Sequence, residues 1–359
     1  MEKIITAAGR FAIDGIVTEV RPMGNGLIND TYMVSTSSGK DYVLQRINHL
    51  IFRDVPLLQR NIANVTSHIR TRLQEAGETE IDRKVLNFLS LRDGEDTFFF
   101  DGGSYWRMSV LISDSVTVET VSPASAYCAG KAFGHFQAML VDMKEEVGET
   151  IPDFHNMELR ARQLDDAVNA DSAGRCSEPE IKEFLAEIAQ NMSEMCKAER
   201  LHREGLLPKR ICHCDTKVSN MLFDRDGSVL CVIDLDTVMP SFIFSDVGDF
   251  LRTAANKVAE DCPEIEKVAF DMDIFKAFIK GYLESSADFL TPVEKDNLPY
   301  AAALFPFMQA VRFLTDYING DTYYKIAYPE HNLVRTRNQM ALFRSVLSHI
   351  DQMKAIVSE

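Results

Sequence analysis

Short runs rich in apolar, β-branched and aromatic residues over 16–21, 31–36 and 42–47, separated by turn residues, predict three strands. Gly24 and Gly26 separate the first two runs and residues 38–40 turn the chain into the third, so the three form an antiparallel meander. From Asp54, a good helix cap, the pattern becomes periodic. Leu58, Ile62, Val65, Ile69 and Leu73 recur at spacings of three and four until Gly77, which predicts an amphipathic helix over 55–76. Strand signals return at 85–91 and 105–112, with an apolar 97–100 between two Asp-Gly turns.

After about residue 113 the pattern is helical, over 123–142, 157–170, 178–204, 272–285, 298–319 and 330–352. Strand signals reappear only in the middle. There 221–223 and 229–234 flank Asp224-Arg225-Asp226-Gly227, which reads as a tight hairpin. No internal repeat or long linker interrupts the chain. The expected fold class is α+β, with a strand-rich first lobe at 1–112 and a mainly helical second lobe at 113–359.

Composition narrows the partners. Of 359 residues, 46% are hydrophobic and 26% charged, the profile of an ordinary globular chain with enough apolar sequence for a real core. Against 54 Asp and Glu stand 38 Lys and Arg, for a net charge of −16. A surface that negative repels phosphodiester backbones and anionic lipid, so neither nucleic acid nor membrane is expected as a partner. Any anionic substrate then needs a local cation. The seven cysteines form no C-x-x-C pair, and no run of apolar residues is long enough for a membrane span, which together point to the cytoplasm.

The informative segment is His213-Cys214-Asp215-Thr216-Lys217-Val218-Ser219-Asn220, followed by Ile233-Asp234-Leu235-Asp236. If Arg225 pairs with Ser228 across the hairpin, Asn220 lies opposite Ile233 and beside Asp234. An Asn oxygen and an Asp carboxylate converging at a strand end suit Mg²⁺, a hard cation that takes few protein ligands and shares phosphate oxygens. Asp215 is then left to accept a proton from a substrate hydroxyl, and Lys217 to offset charge on a transferring phosphoryl group. Each residue alone is an ordinary turn or cap residue. Four in this order around a hairpin are not.

This pattern resembles the catalytic loop and metal-binding Asp of the protein-kinase-like fold, particularly its aminoglycoside phosphotransferase and choline kinase branch. The resemblance implies a bilobal fold, Asp215 as catalytic base, Asn220 and Asp234 as metal ligands, Asp236 as an accessory acid, and His213 as a support of the loop. The strand, strand, strand, helix order of the first lobe agrees with it independently. Gly24-Asn25-Gly26 stands where a kinase's glycine-rich loop covers nucleotide phosphates, although such a tripeptide also satisfies a simple turn.

Two departures stand out. Where the third strand of a kinase carries its phosphate-contacting Lys, this chain has Gln45. The helix that should supply the partner Glu offers Asn61 and Asn64. Both members of the ion pair are missing together, so an amide contact can replace it without stranding a charge.

Those departures, with Gly24 to Tyr32, Tyr42 to Gln45, His213 to Asn220, Ile233 to Pro240 and Tyr328 to Arg337, resemble the N-acetylhexosamine 1-kinases essentially end to end. The resemblance implies ATP and Mg²⁺ as cofactors and phosphorylation of the anomeric hydroxyl of N-acetylglucosamine or N-acetylgalactosamine. It matches the family's sugar-binding positions at Arg312, Asp316 and Tyr323; the first two lie four apart on one face of the helix expected at 298–319. It fails at Leu27, where those kinases carry a His that reaches the sugar. Two other readings remain: a kinase for choline, an amino alcohol, an aminoglycoside or another small hydroxyl compound, and a catalytically inactive binding protein of the same fold.

Overall fold

A computed structural model describes residues 2–24, 28–118 and 120–358. The chain divides into two units that interleave along the sequence: Met1–Thr117, Met139–Pro152 and Met221–Met239 form the first, and Val118–Ala138, Asp153–Asn220 and Pro240–Glu359 the second.

The first unit is built on a five-stranded antiparallel sheet of order β1-β2-β3-β5-β4. Its strands are β1 (Val17–Pro22), β2 (Asp30–Thr36), β3 (Asp41–Ile47), β4 (Phe98–Phe100) and β5 (Tyr105–Val110). The first three make the expected meander. Val34, Tyr42, Leu44, Trp106 and Met108 bury one face of the sheet with Ala7, Ala8, Phe11 and Ile13. Two of these, Ala7 and Ala8, belong to a short helix α1 (Glu2–Ala8) that periodicity did not announce. Because side chains alternate along a strand, Gln45 and Arg107, next to Leu44 and Trp106, emerge on the opposite face.

The helix α2 (Val55–Glu75) starts where Asp54 accepts the amide of Leu57 at 2.9 Å, and it buries all five residues of the predicted apolar stripe. The run at 85–91 departs from expectation. It follows a single-turn helix α3 (Ile81–Lys84) and makes only isolated bridges, Phe88 to Ser109 and Leu91 to Phe11. β4 already pairs with residues 105–107 of β5, which leaves only the far end of that strand for the 85–91 segment.

The expected hairpin register holds at Met221↔Val232 and Leu222↔Cys231 and shifts before Phe223↔Val229. The second strand stops at Val232, because Asp234 turns left-handed (φ 60°, ψ 60°) and opens a 3₁₀ turn, Leu235–Thr237. Strand geometry therefore ends before the acidic pair.

The second unit is mainly helical. Its central helix, Leu298–Ile318, is buried along almost its whole length and packs on His331–Ser348, Phe244–Ala254 and Met157–Ala170. The helix expected over 178–204 breaks at Cys196 into Pro179–Met195 and Lys197–Arg203. Another, expected over 330–352, breaks after Ser348. Helices Pro123–Leu140 and Met272–Ser286 cross backbone to backbone: a Cβ on Gly130 would sit 2.1 Å from the Phe278 carbonyl oxygen, and one on Gly281 2.1 Å from that of Tyr127. Only glycine permits that approach. Among the described residues, no helix is long and apolar enough to cross a membrane.

Candidate active site

The segment from His213 to Asn220 is held from below by one helix. Asp246, on Phe244–Ala254, accepts the amides of His213 (3.1 Å) and Cys214 (2.8 Å), and Asp249 accepts that of Thr216 (3.0 Å). The Thr216 hydroxyl donates to the Asp246 carbonyl at 2.7 Å. Asp246 is itself fixed by the Gln137 amide at 2.7 Å, which in turn accepts from the Tyr282 hydroxyl at 2.5 Å. Arg252 spans Asp249 and Glu260. The sequence supports this reading of 246–252 as a buttress, since Asp-x-x-Asp on one helix face presents two acceptors a turn apart. Buried amides in an irregular loop need such acceptors.

The loop bends through a left-handed Cys214 (φ 63°) and then presents Asp215. Its amide donates to Nδ1 of the buried His213, at 3.3 Å. Lys217 Nζ lies 2.8 Å from one carboxylate oxygen, and Asn220 Nδ2 donates to the other at 3.0 Å. Burial works to raise the Asp215 pKa. The Lys217 ammonium, with help from His213 and Asn220, outweighs it and holds the carboxyl below its ordinary value. For Lys217, burial works downward, and the charges of Asp215 and Asp249 raise its pKa regardless. The pair is therefore fully ionised near neutrality, with side chains 24% (Asp215) and 42% (Lys217) exposed, open enough to meet a substrate.

Asn220 also donates to the Asp215 carbonyl at 2.8 Å. With both donations made by its nitrogen, the side-chain oxygen is the end left for a cation, as a magnesium ligand must be. Asp234 lies in the first unit, exposed, in the left-handed turn described above. Asn and Asp tolerate that conformation better than branched residues do. An amide oxygen at Asn220 and a carboxylate at Asp234 are each a donor type that a hard cation takes.

Asp236 does not fit the role of a metal acid. It is 3% exposed, Asn29 Nδ2 donates to one of its oxygens at 2.6 Å, and Arg107 Nη1 lies 2.5 Å from the other. That last approach lacks the alignment of a hydrogen bond and is a charge contact. One oxygen takes a hydrogen bond and the other a charge contact, both from the protein, so the residue read as an accessory acid is turned toward Asn29 and Arg107. Gln45 stands in the same network, accepting from Arg107 Nε at 2.9 Å and donating to Thr31 Oγ1 at 3.3 Å. Its neighbour Arg46 points away and pairs with Asp30. Gly24 has the positive φ (70°) of a turn glycine with no atom near a hypothetical Cβ; Asn25, Gly26 and Leu27 lie outside the described residues.

Sequence reading missed Arg107 and Asn29. A charge inside the apolar run Tyr105-Trp106-Arg107-Met108 was the available signal, since such a residue must find a partner.

The third group lies in the second unit. Arg312 and Asp316 share a helix face, yet they do not pair. Asp316 is buried and accepts four donors: the amides of Thr322 (2.9 Å), Tyr323 (2.7 Å) and Tyr324 (2.9 Å), and Asn332 Nδ2 (2.9 Å). Two donors on each oxygen fill a carboxylate. Asp316 therefore shapes the loop that carries Tyr323, a residue 73% exposed, and the structure replaces a sugar-clasping role for Asp316 with a positioning one. Arg312 instead donates to Gln309 at 3.1 Å and lies over the rings of Phe154 (5.9 Å) and Tyr324 (5.6 Å).

Beside it, Arg160 donates to the Phe154 carbonyl at 2.6 Å, and burial together with the Arg312 charge lowers its pKa to about 10. His155, stacked on Phe154 at 4.3 Å, is pushed well below its usual pKa by burial and by Arg312 and Arg160, and is neutral. Among the described residues, neither Arg160 nor Arg312 forms a salt bridge with a carboxylate. Periodicity offered no signal for Arg160, which needs the fold to meet Arg312.

An ionised, buttressed aspartate with its lysine, on a chain that couples an antiparallel sheet to a helical unit, is the equipment of a phosphotransferase. The sequence matches the Phosphotransferase enzyme family, APH, over residues 19–270, and the chain belongs to it. Solved structures share the fold over nearly the whole chain. An aminoglycoside phosphotransferase from Alicyclobacillus acidocaldarius subsp. acidocaldarius DSM 446 has a TM-score of 0.62 at 14% identity, covering 98% of this chain and 96% of that one. A choline kinase from Cryptosporidium parvum Iowa II has a TM-score of 0.59 at 13% identity, again covering 98% and 96%. An amicoumacin kinase, solved with AMP-PNP, Ca²⁺ and Ami, has a TM-score of 0.58 at 13% identity, covering 98% and 93%. At these identities the likeness is one of fold.

Proposed function

We propose that this phosphotransferase moves the γ-phosphoryl group of ATP, with Mg²⁺, to the anomeric hydroxyl of an N-acetylhexosamine, N-acetylglucosamine or N-acetylgalactosamine. The observation that carries the phosphoryl transfer is Asp215, ionised and partly open, between Lys217 and Asn220.

In this reading the acceptor hydroxyl approaches Asp215, whose carboxylate orients it and takes its proton as the oxygen attacks phosphorus. Lys217, 2.8 Å from Asp215, keeps that carboxylate ionised and offsets charge on the transferring group. Asn220 and Asp234 would hold Mg²⁺, which neutralises phosphate oxygens. Gly24, Asn25, Gly26 and Gln45 contact the nucleotide, Gln45 through its amide nitrogen.

The acceptor side favours a neutral sugar over a cation such as choline. Among the described residues Arg160 and Arg312 sit together without a salt-bridged acid, which repels an ammonium group and suits the oxygens of hydroxyls and an acetamide. Tyr323 adds an exposed aromatic face with a hydroxyl, the usual equipment for a sugar ring. The motifs shared with hexosamine 1-kinases select within the sugars.

The test is a substrate panel of N-acetylglucosamine, N-acetylgalactosamine, glucose, galactose and choline. ATP consumption is followed, and the product is identified by phosphorus NMR. Phosphate appearing on C1 of an N-acetylhexosamine supports the reading. Preferred turnover of choline, or phosphate at another hydroxyl, overturns the acceptor assignment and leaves phosphotransfer standing.

A further inference from the structure

Arg107 is directly opposite Gln45 in the β3–β5 register and is 2% exposed. Such a side chain does not reach a nucleotide, yet it touches Gln45 and, through Asp236, the turn that carries Asp234. Arginine carries donors and no acceptor, so the end of the Gln45 amide that faces Arg107 Nε, at 2.9 Å, must be its oxygen. Gln45 Nε2 is thereby turned the other way, toward Thr31 at 3.3 Å, with a second hydrogen to spare. The strand position that holds a lysine in other kinases thus presents a donor after all.

On its other side Arg107 meets Asp236, two residues beyond Asp234 in the turn that the left-handed Asp234 opens. The same turn is tied by Thr150 Oγ1 to the Asp236 carbonyl (2.9 Å) and by Asn29 to its carboxylate. It is tied to α2 as well: Asn61 Nδ2 donates to the Val238 carbonyl at 3.2 Å and to that of Gly148 at 2.7 Å. Asn61 occupies the helix that would carry the missing glutamate. The links that a lysine–glutamate pair makes between sheet and helix are made here between the sheet, the 234–238 segment and the helix.

We infer that Arg107 is a positioning residue of the nucleotide site, one buried cation that fixes the Gln45 amide with its donor outward and anchors the turn carrying Asp234. This rests on the reading of Gln45 and Asp234 as nucleotide and metal residues. It differs from a purely structural ion pair, which would support stability without touching nucleotide affinity in the folded protein.

Binding of ADP, with and without Mg²⁺, is measured by titration calorimetry on the wild type, Arg107→Lys and Arg107→Met, each checked for folding by circular dichroism at the assay temperature. Arg107→Met should weaken ADP binding about tenfold or more and raise the Mg²⁺ concentration for half-maximal binding several-fold. Arg107→Lys retains a charge for Asp236 and loses the directed donor to Gln45, so it should restore the Mg²⁺ midpoint to within about twofold while ADP binding stays several-fold weak. If Arg107→Met does not fold, Arg107→Lys carries the test, and wild-type ADP affinity in it overturns the inference. Folded Arg107→Met with unchanged affinity and Mg²⁺ midpoint overturns it too. A wild type that binds no ADP refutes the nucleotide reading, and the inference with it.

Discussion

Asn220 donates its side-chain nitrogen to Asp215 twice, to the main-chain oxygen at 2.8 Å and to the carboxylate at 3.0 Å. One amide therefore does two things. Its nitrogen holds the main chain and the carboxylate of the residue read as the base, and its oxygen is the end left for the cation proposed above. A five-residue separation would not bring these groups together on an extended chain. It does so here because the chain turns left-handed at Cys214, with Asp246 holding the Cys214 amide and Asp249 that of Thr216.

Replacing Asp215 by Asn keeps the shape and removes the proton acceptor. The turnover number should fall by about three orders of magnitude or more, with nucleotide affinity within a few-fold of wild type. Near-normal turnover in steady-state assays would remove Asp215 from the role of base.

Asp234→Ala should abolish the Mg²⁺ dependence of nucleotide binding. The acidic surface, −16 overall, repels a free ATP tail, so a cation bridging Asp234 to phosphate has a large effect to lose. Calorimetric titration of ATP with Mg²⁺ and with EDTA checks this; equal affinity in the two conditions for the wild type refutes the metal role.

Arg312 and Asp316 share a helix face and should respond differently. Arg312→Ala removes a cation from the acceptor group and should raise the sugar's Michaelis constant by a factor consistent with about 1.5–3 kcal/mol, leaving that for ATP unchanged. Asp316→Ala strands four donors and should cost roughly 3 kcal/mol of stability as well, read as a lowered denaturant midpoint. Equal effects of both variants on stability would return them to a common structural role.

Glu199 predicts a pH dependence of folding. The residue is 8% exposed, one carboxylate oxygen accepts the Met157 amide at 2.7 Å, and the other has no hydrogen-bond partner among the described residues. Burial raises its pKa from 4.5 to about 7. A raised acid binds its proton more tightly folded than unfolded. Its contribution is full below pH 4.5 and disappears as the pH rises through 7, a change of about 3 kcal/mol. Glu199→Gln, which cannot ionise, should gain on the wild type by about that amount between pH 5 and 8. Parallel urea midpoints across that range would refute it.

The sequence by itself determined the repetitive parts and the local motifs. The three-strand meander, the apolar stripe of α2, Met157–Ala170 and the hairpin register at Met221↔Val232 all follow from period and turn chemistry, which act between near neighbours. The order Asp215, Lys217, Asn220 also encloses its own geometry, since the contacts among the three span no more than five residues. Tertiary structure decided the partners of charges. Whether Asp236 faces a metal or a protein cation depends on Arg107, more than a hundred residues away, and whether Arg312 meets Asp316 depends on a loop at 322–324 with three amides to satisfy. A carboxylate goes to the donors that cannot reach water, and burial, which selects those donors, is a property of the assembled fold.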